Sequence, residues 1–171
     1  MCIRDSWSIE QADTLLSKHL GTTKHVWLSG GAIQGDDTDG HIDQLARFVD
    51  DQTIVYAWSE NESDPQRAGL EKNLYDLNQG LKDHELGPYR LIPLPIPAPI
   101  ELFGRRIPAS YCNFLITNDL VIVPQFNQPE DETTIEILTP LFKSRKIVPL
   151  DSLNLSVGLG SFHCLSQQQP A

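Results

Sequence analysis

One pattern limits the fold of this chain more than any other. A helix, a strand, a long loop and a hairpin follow one another, and then the order starts again. Ser8-Ile9-Glu10-Gln11 has the form of a capping box, with Ser8 as N-cap and Gln11 three residues on. Ile9, Ala12, Leu15, Leu16 and His19 continue at helical spacing, and Gly21 stops the helix. Residues 25–28 (His-Val-Trp-Leu) read as a short strand. After an acidic loop, residues 45–49 and 53–58 flank Asp50-Asp51-Gln52 as a hairpin.

The second round begins at Asp64-Pro65, an N-cap followed by proline at the first helical position. Ala68, Leu70, Leu74, Leu77 and Leu81 mark its helix, and residues 91–94 its strand. The loop that follows, residues 93–108, holds Pro93, Pro95, Pro97, Pro99 and Pro108. Residues 111–117 and 120–124 then flank Asn118-Asp119 as a second hairpin. A third round opens with Pro129-Glu130-Asp131-Glu132, acids placed where a helix dipole favours them. Pro140 should kink or end this helix, and residues 146–150 are its strand. The unit therefore recurs about two and a half times, each copy roughly 60 residues long, which argues for a repeated architecture whose units pack on their neighbours. A chain that opens in mid-array predicts further units before Ser8 in the native protein.

Composition narrows the function. The 171 residues carry a formal net charge of −10 and no Lys/Arg-rich run, which argues against nucleic acid and anionic membrane as partners. Cys2, Cys112 and Cys164 form no paired spacing, so a disulfide framework or structural zinc site is not expected and a reducing, cytoplasmic setting is. Met1 to Ser6 follow no pattern set by what comes after, and are expected to be a non-native or disordered leader, with residues 7–171 forming one domain.

Two stretches concentrate chemistry. In Gly35-Asp36-Asp37-Thr38-Asp39-Gly40-His41-Ile42-Asp43, an extended backbone would turn His41 and Asp43 to one face. An imidazole beside a carboxylate can move protons near neutral pH, or the carboxylate can hold a cation. The same residues can equally be solvated loop caps, or hard-cation ligands, although an EF-hand fails because Gly35 and Ala46 fall where acids are needed. In Gly158-Leu159-Gly160-Ser161-Phe162-His163-Cys164, the glycines permit close approach of a ligand to Cys164. Cys164 is either a nucleophile activated by a neighbouring cation or a small buried hydrophobe. On a strand His163 would face away from Cys164, so His41 is the expected partner, and Cys112 is expected in the core.

Together these stretches resemble a known family. Trp27-Leu28, the Gly35–Asp43 motif, Ser110-Tyr111-Cys112-Asn113-Phe114, Val121-Ile122-Val123-Pro124-Gln125-Phe126 and Phe162-His163-Cys164-Leu165-Ser166-Gln167-Gln168-Gln169-Pro170 are similar to the agmatine deiminases. That family is grouped with bacterial peptidylarginine deiminases in the guanidine-modifying superfamily. The resemblance implies an α/β fold, a pentein-type propeller of ββαβ units, of which this chain is roughly the C-terminal half. It implies Cys164 as nucleophile, His41 as general acid/base, and Asp43, with Gly160 beside it, as substrate-binding. It implies no cofactor and no metal, and a small cationic guanidine, agmatine, as partner of a protein that can form homo-oligomers. Free arginine or peptidylarginine are the alternative substrates, and an inactive fragment of the fold is the alternative to an enzyme. Ser161 and Phe162 stand where many members have Asn and Ile, and further guanidinium-binding acids of the family have no match in this chain.

Overall fold

A computed structural model describes residues 7–37 and 40–169. The expected leader, Met1 to Ser6, lies outside the described residues, as does Asp39 of the acidic loop.

Helix α1 (Ile9–Leu20) forms as its cap predicts. Ser8 N donates to Gln11 Oε1 at 2.9 Å, Gln11 N donates to Ser8 Oγ, and Gly21 closes the helix in the left-handed conformation. Residues 25–28 do not form the expected strand. Their neighbourhood is tied to a helix instead. Ser29 N and Oγ both donate to Asp76 Oδ2, Gly30 N donates to Asn73 Oδ1, and a Cβ on Gly80 would come within 2.5 Å of Val26. Helix side chains here do the work that a neighbouring strand would have done for these backbone groups.

Two ββαβ units follow, and they match closely. The first is β1 (Ala46–Phe48), β2 (Thr53–Trp58), α2 (Arg67–Asp83) and β3 (Arg90–Pro95). β1 and β2 are antiparallel, with Ala46 opposite Tyr56; β2 and β3 are parallel, with Thr53 opposite Arg90 and Tyr56 opposite Pro93. Between the units, the stretch expected to be a plain loop holds a small hairpin, β4 (Glu101–Leu102) with β5 (Arg105–Arg106). It turns through Phe103 and Gly104, both at positive φ, as a two-residue hairpin turn requires. The second unit is β6 (Leu115–Ile116), β7 (Leu120–Gln125), α3 (Glu130–Leu138) and β8 (Lys146–Asp151). Leu115 lies opposite Ile122, and the parallel β7–β8 pair sets Leu120 against Lys146 and Val123 against Pro149.

The helix boundaries follow local chemistry. α2 starts at Arg67, two residues after the expected Pro65, because Asp64 first closes a turn by accepting from Gln66 N on its side chain and from Arg67 N on its carbonyl. α3 stops at Leu138, just ahead of Pro140, which cannot continue the backbone ladder. One core spans both units. Val55, Ala57, Leu70, Leu94 and Ile96 from the first meet Cys112, Phe114, Val121, Val123, Leu138 and Phe142 from the second. Shared burial of this kind welds units that could not each hide their apolar faces alone. Among the described residues no helix is long and apolar enough to cross a membrane.

Candidate active site

Each unit is entered by the same short device. Ahead of β1, His41 is an extended cap and Ile42–Gln44 forms one 3-10 turn. Ahead of β6, Ser110 is an extended cap and Tyr111–Asn113 forms another. Ser110 Oγ donates to Gln44 O at 2.7 Å, so the two entry turns are joined in the buried interior. Arg47 of β1 strengthens this junction by donating to the Cys112 and Phe114 carbonyls and stacking 4.9 Å from the Phe114 ring centre. A third segment, residues 158–166 after β8, packs into the same place.

Two amides hold that third segment. Gln44 Nε2 donates to Leu159 O, and Asn113 Oδ1 accepts from Ser161 N at 2.9 Å and from Cys164 N at 3.3 Å. Ser161 is buried, and its hydroxyl is bonded to that of Ser152 at the end of β8. The chain passes through Leu159 at φ +70° and then Gly160, where a Cβ would come within 2.5 Å of Cys164 Cβ and 2.6 Å of its sulfur. Only glycine lets the turn fold this tightly on the cysteine.

Asp43 is the centre of the arrangement. The residue is 8% exposed, and Oδ2 takes three contacts: His163 Nδ1 at 2.6 Å, Asn113 Nδ2 at 2.9 Å and Cys164 Sγ at 3.2 Å. Asn113 Nδ2 also lies 3.1 Å from Cys164 Sγ. The other oxygen, Oδ1, is buried with no hydrogen-bond donor among the described residues. Burial alone would raise the Asp43 carboxyl. The hydrogen bonds from His163, Cys164 and Asn113, with the charge of the His163 imidazole, outweigh it and hold the group below its ordinary value. Cys164 moves the other way. Partial burial raises its thiol, Asn113 and the Ser161 backbone lower it, and the bond to Asp43 and that carboxylate's charge raise it again, for a net upward shift. Among the described residues no group of three or more His, Cys, Asp or Glu side chains is placed to hold a metal ion.

The described residues fall within a match to known proteins. Residues 4–170 match the Porphyromonas-type peptidyl-arginine deiminases. The chain belongs to this family. It is 33% identical to the agmatine deiminase of Pseudomonas syringae pv. syringae, over 95% of this chain and 48% of the relative. Among solved structures, C. jejuni agmatine deiminase with substrate bound aligns at TM-score 0.84 and 34% identity, over 93% of this chain and 46% of that one. A candidate arginine deiminase from Porphyromonas gingivalis aligns at 0.87 and 38%, over 97% of this chain and 49% of that one. This peptidyl-arginine deiminase relative therefore spans about half the length of the proteins it matches, and its two ββαβ units are part of a pentein-type α/β propeller.

Sequence reasoning placed His41, Asp43, Gly160 and Cys164 in one site; Asp43, Gly160 and Cys164 lie in contact, and the imidazole found on Asp43 is that of His163. Two of its geometric premises fail. His41 and Asp43 are not on an extended strand, because the backbone closes a 3-10 turn at Ile42–Gln44 with His41 as its cap. Residues 162–165 are not a strand either; they turn, with Leu165 N donating to Ser161 O, and the turn swings His163 onto Asp43. His41 is half-buried at the mouth of the acidic loop. Asn113 was the residue missed. Its signal was an amide set between Cys112 and Phe114, in a run otherwise fit for the core.

Proposed function

We propose that this site hydrolyses the guanidinium carbon–nitrogen bond of agmatine, giving N-carbamoylputrescine and ammonia. The observation that carries the reading is the division of labour on Asp43. Oδ2 is occupied by the protein, the Cys164 sulfur included, while Oδ1 of the same carboxylate is buried without a donor among the described residues. A buried carboxylate oxygen in that position is costly unless a ligand donates to it, and a planar guanidinium offers N–H groups that suit a carboxylate. The relatives with agmatine in their names supply the substrate, and the acidity of the chain, net −10, suits a cation.

The chemistry follows from the residues. Burial first, and then the bond to Asp43 and its charge, shift the Cys164 thiol upward, and a cation arriving on Asp43 offsets the carboxylate's part of that shift. The Cys164 proton passes to His41, and the thiolate attacks the guanidinium carbon and forms a C–S bond. The C–N bond to the departing nitrogen breaks, and that nitrogen leaves as ammonia with a proton from His41, the acid/base that the family resemblance implies. Water, deprotonated by His41, then adds to the amidino-cysteine carbon. The C–S bond breaks, the thiolate returns, and the carbon leaves as the ureido group. His163 orients Asp43 from its Oδ2 side. The relatives are about twice the length of this chain.

The test is ureido-product formation from agmatine, free arginine and a peptide ending in arginine, by this chain and by the same chain extended upstream to the length of its relatives. Turnover of agmatine in preference to the other two is expected, from the extended protein above all. His41→Ala should cost about 10²–10⁴ in kcat, the range for lost general acid/base catalysis, and Cys164→Ala at least as much. Preference for either arginine substrate would replace agmatine in this reading. Turnover untouched in Cys164→Ala would overturn it.

A further inference from the structure

We propose that Asn113 is a positioning residue for the nucleophile: it clamps the Cys164 turn against Asp43 and holds a donor on the sulfur. The inference rests on the reading of Cys164 as nucleophile. Asn113 is 1% exposed, and every polar group of its side chain is used at the site. Oδ1 accepts from the Ser161 and Cys164 backbones, Nδ2 donates to Asp43 Oδ2 and lies within bonding distance of Cys164 Sγ, and the Asn113 carbonyl accepts from His163 N at 3.2 Å. One side chain thus touches the nucleophile at both its backbone and its sulfur, together with the carboxylate opposite.

The second entry turn offers a comparison within the molecule. Gln44 occupies the last position of the first 3-10 turn, as Asn113 does of the second, and it is equally buried. Gln44 also holds the third segment, through Leu159 O, and its amide nitrogen is used there rather than on the sulfur. Both amides brace the turn, while Asn113 also donates toward sulfur. An N–H aimed at sulfur favours thiolate over thiol, so its removal should leave a thiol that ionises later. Among the described residues, the charged and titratable groups placed around that sulfur include Asp43, His163 bonded to Asp43, and Arg47 behind them.

The experiment follows alkylation of Cys164 by iodoacetamide against pH, read by peptide mass spectrometry, in the full protein carrying Asn113→Ala or Gln44→Ala. Asn113→Ala should move the midpoint up by about one pH unit or more and slow alkylation at pH 8 roughly tenfold. Gln44→Ala should lower thermal stability and leave the midpoint in place. A shared midpoint for Asn113→Ala and wild type, or equal shifts in both variants, overturns the proposal. If Asn113→Ala does not fold, the wild-type protein carries the test. The Asn113 side-chain amide resonances should then step with Cys164 ionisation and lose that step in Cys164→Ala; a folded wild type without the step overturns the proposal. No guanidine is needed, so a protein inert toward agmatine yet showing the Asn113 coupling would sink the proposed substrate and leave the clamp standing. Where agmatine is turned over, Asn113→Ala should lower kcat more than it raises KM.

Discussion

Residues 41–45 and 110–114 lead into the first strands of their units by one route: an extended cap, a single 3-10 turn, and a large buried apolar residue, Leu45 or Phe114. At the middle of the turn the first carries Asp43 and the second Cys112. Asp43 meets three polar partners on one oxygen. Cys112 is 0% exposed in the shared core, where burial above all pushes its thiol up to about 12. The same backbone thus serves a site in one unit and a core in the other. Turn geometry supplies the position, and the side chain with its surroundings decides between chemistry and packing.

Exchanging the middle residues should break this comparison most sharply. Cys112→Asp gives the second turn the residue of the first and places a carboxylate among Phe114, Val121 and Leu138, where the neighbouring cation, Arg47, is already engaged with the Cys112 and Phe114 carbonyls. A loss of about 4 kcal/mol or more is expected, enough to unfold many domains of this size, and a urea titration reads it. An unchanged urea midpoint would mean that the turn is more open to solvent than its burial implies.

A smaller effect is expected where the third segment meets the two turns. Gly160→Ala sets a methyl against Cys164 Cβ and Sγ, and the turn must shift to admit it. About 1–3 kcal/mol of stability should be lost, typical of overpacking, together with most of the Cys164 alkylation rate. If alkylation proceeds as in the wild type, the tight approach of Gly160 is not what places the sulfur.

The smallest effect is one of pH. The Asp43 carboxyl lies below its ordinary 3.8, so its contribution to stability is present above that value and is lost as pH falls through the lower, folded one. Wild type should therefore lose denaturation midpoint more steeply than Asp43→Asn as pH falls through 3.8 and on below it, since in the variant no carboxylate titrates at that position. Parallel curves would show that the three donors on Oδ2 do not stabilise the charge.

Much of this architecture is local and so was readable in the residues. The Ser8 cap, both hairpin turns and the stop before Pro140 depend on neighbours a few positions away and stand where the pattern put them, although the strand expected over 111–117 is cut to Leu115–Ile116 because Tyr111–Asn113 closes a 3-10 turn. Residues 25–28 looked like a strand because their apolar composition suits one, but a strand exists only with a partner, and here α2 satisfies the neighbouring backbone through Asp76 and Asn73. The site divides in the same way. Asp43, Gly160 and Cys164 stood out by residue type and spacing. The approach of His163 to Asp43 depends on a turn at 162–165 that alternation along a strand could not reveal. Asn113 was hidden by its apolar neighbours, since its polar partners come from residues 48 to 70 positions away.

The prolines of β3 and β8 have a consequence for how such units join. Arg90 and Ile96 donate to β2, at Gln52 and Trp58, and Lys146 and Ser152 donate to β7, at Asp119 and Gln125. Alternation along a strand turns the residues between them, Pro93, Pro95 and Pro149 included, toward the outer margin of each sheet. Proline brings no N–H, so a foreign strand laid along β3 would find Leu91 as its one donor within the strand, and along β8 a gap at the centre. The margins resist zippering to other molecules, and one blade is added to the next through packed side chains and entry turns rather than by widening a sheet.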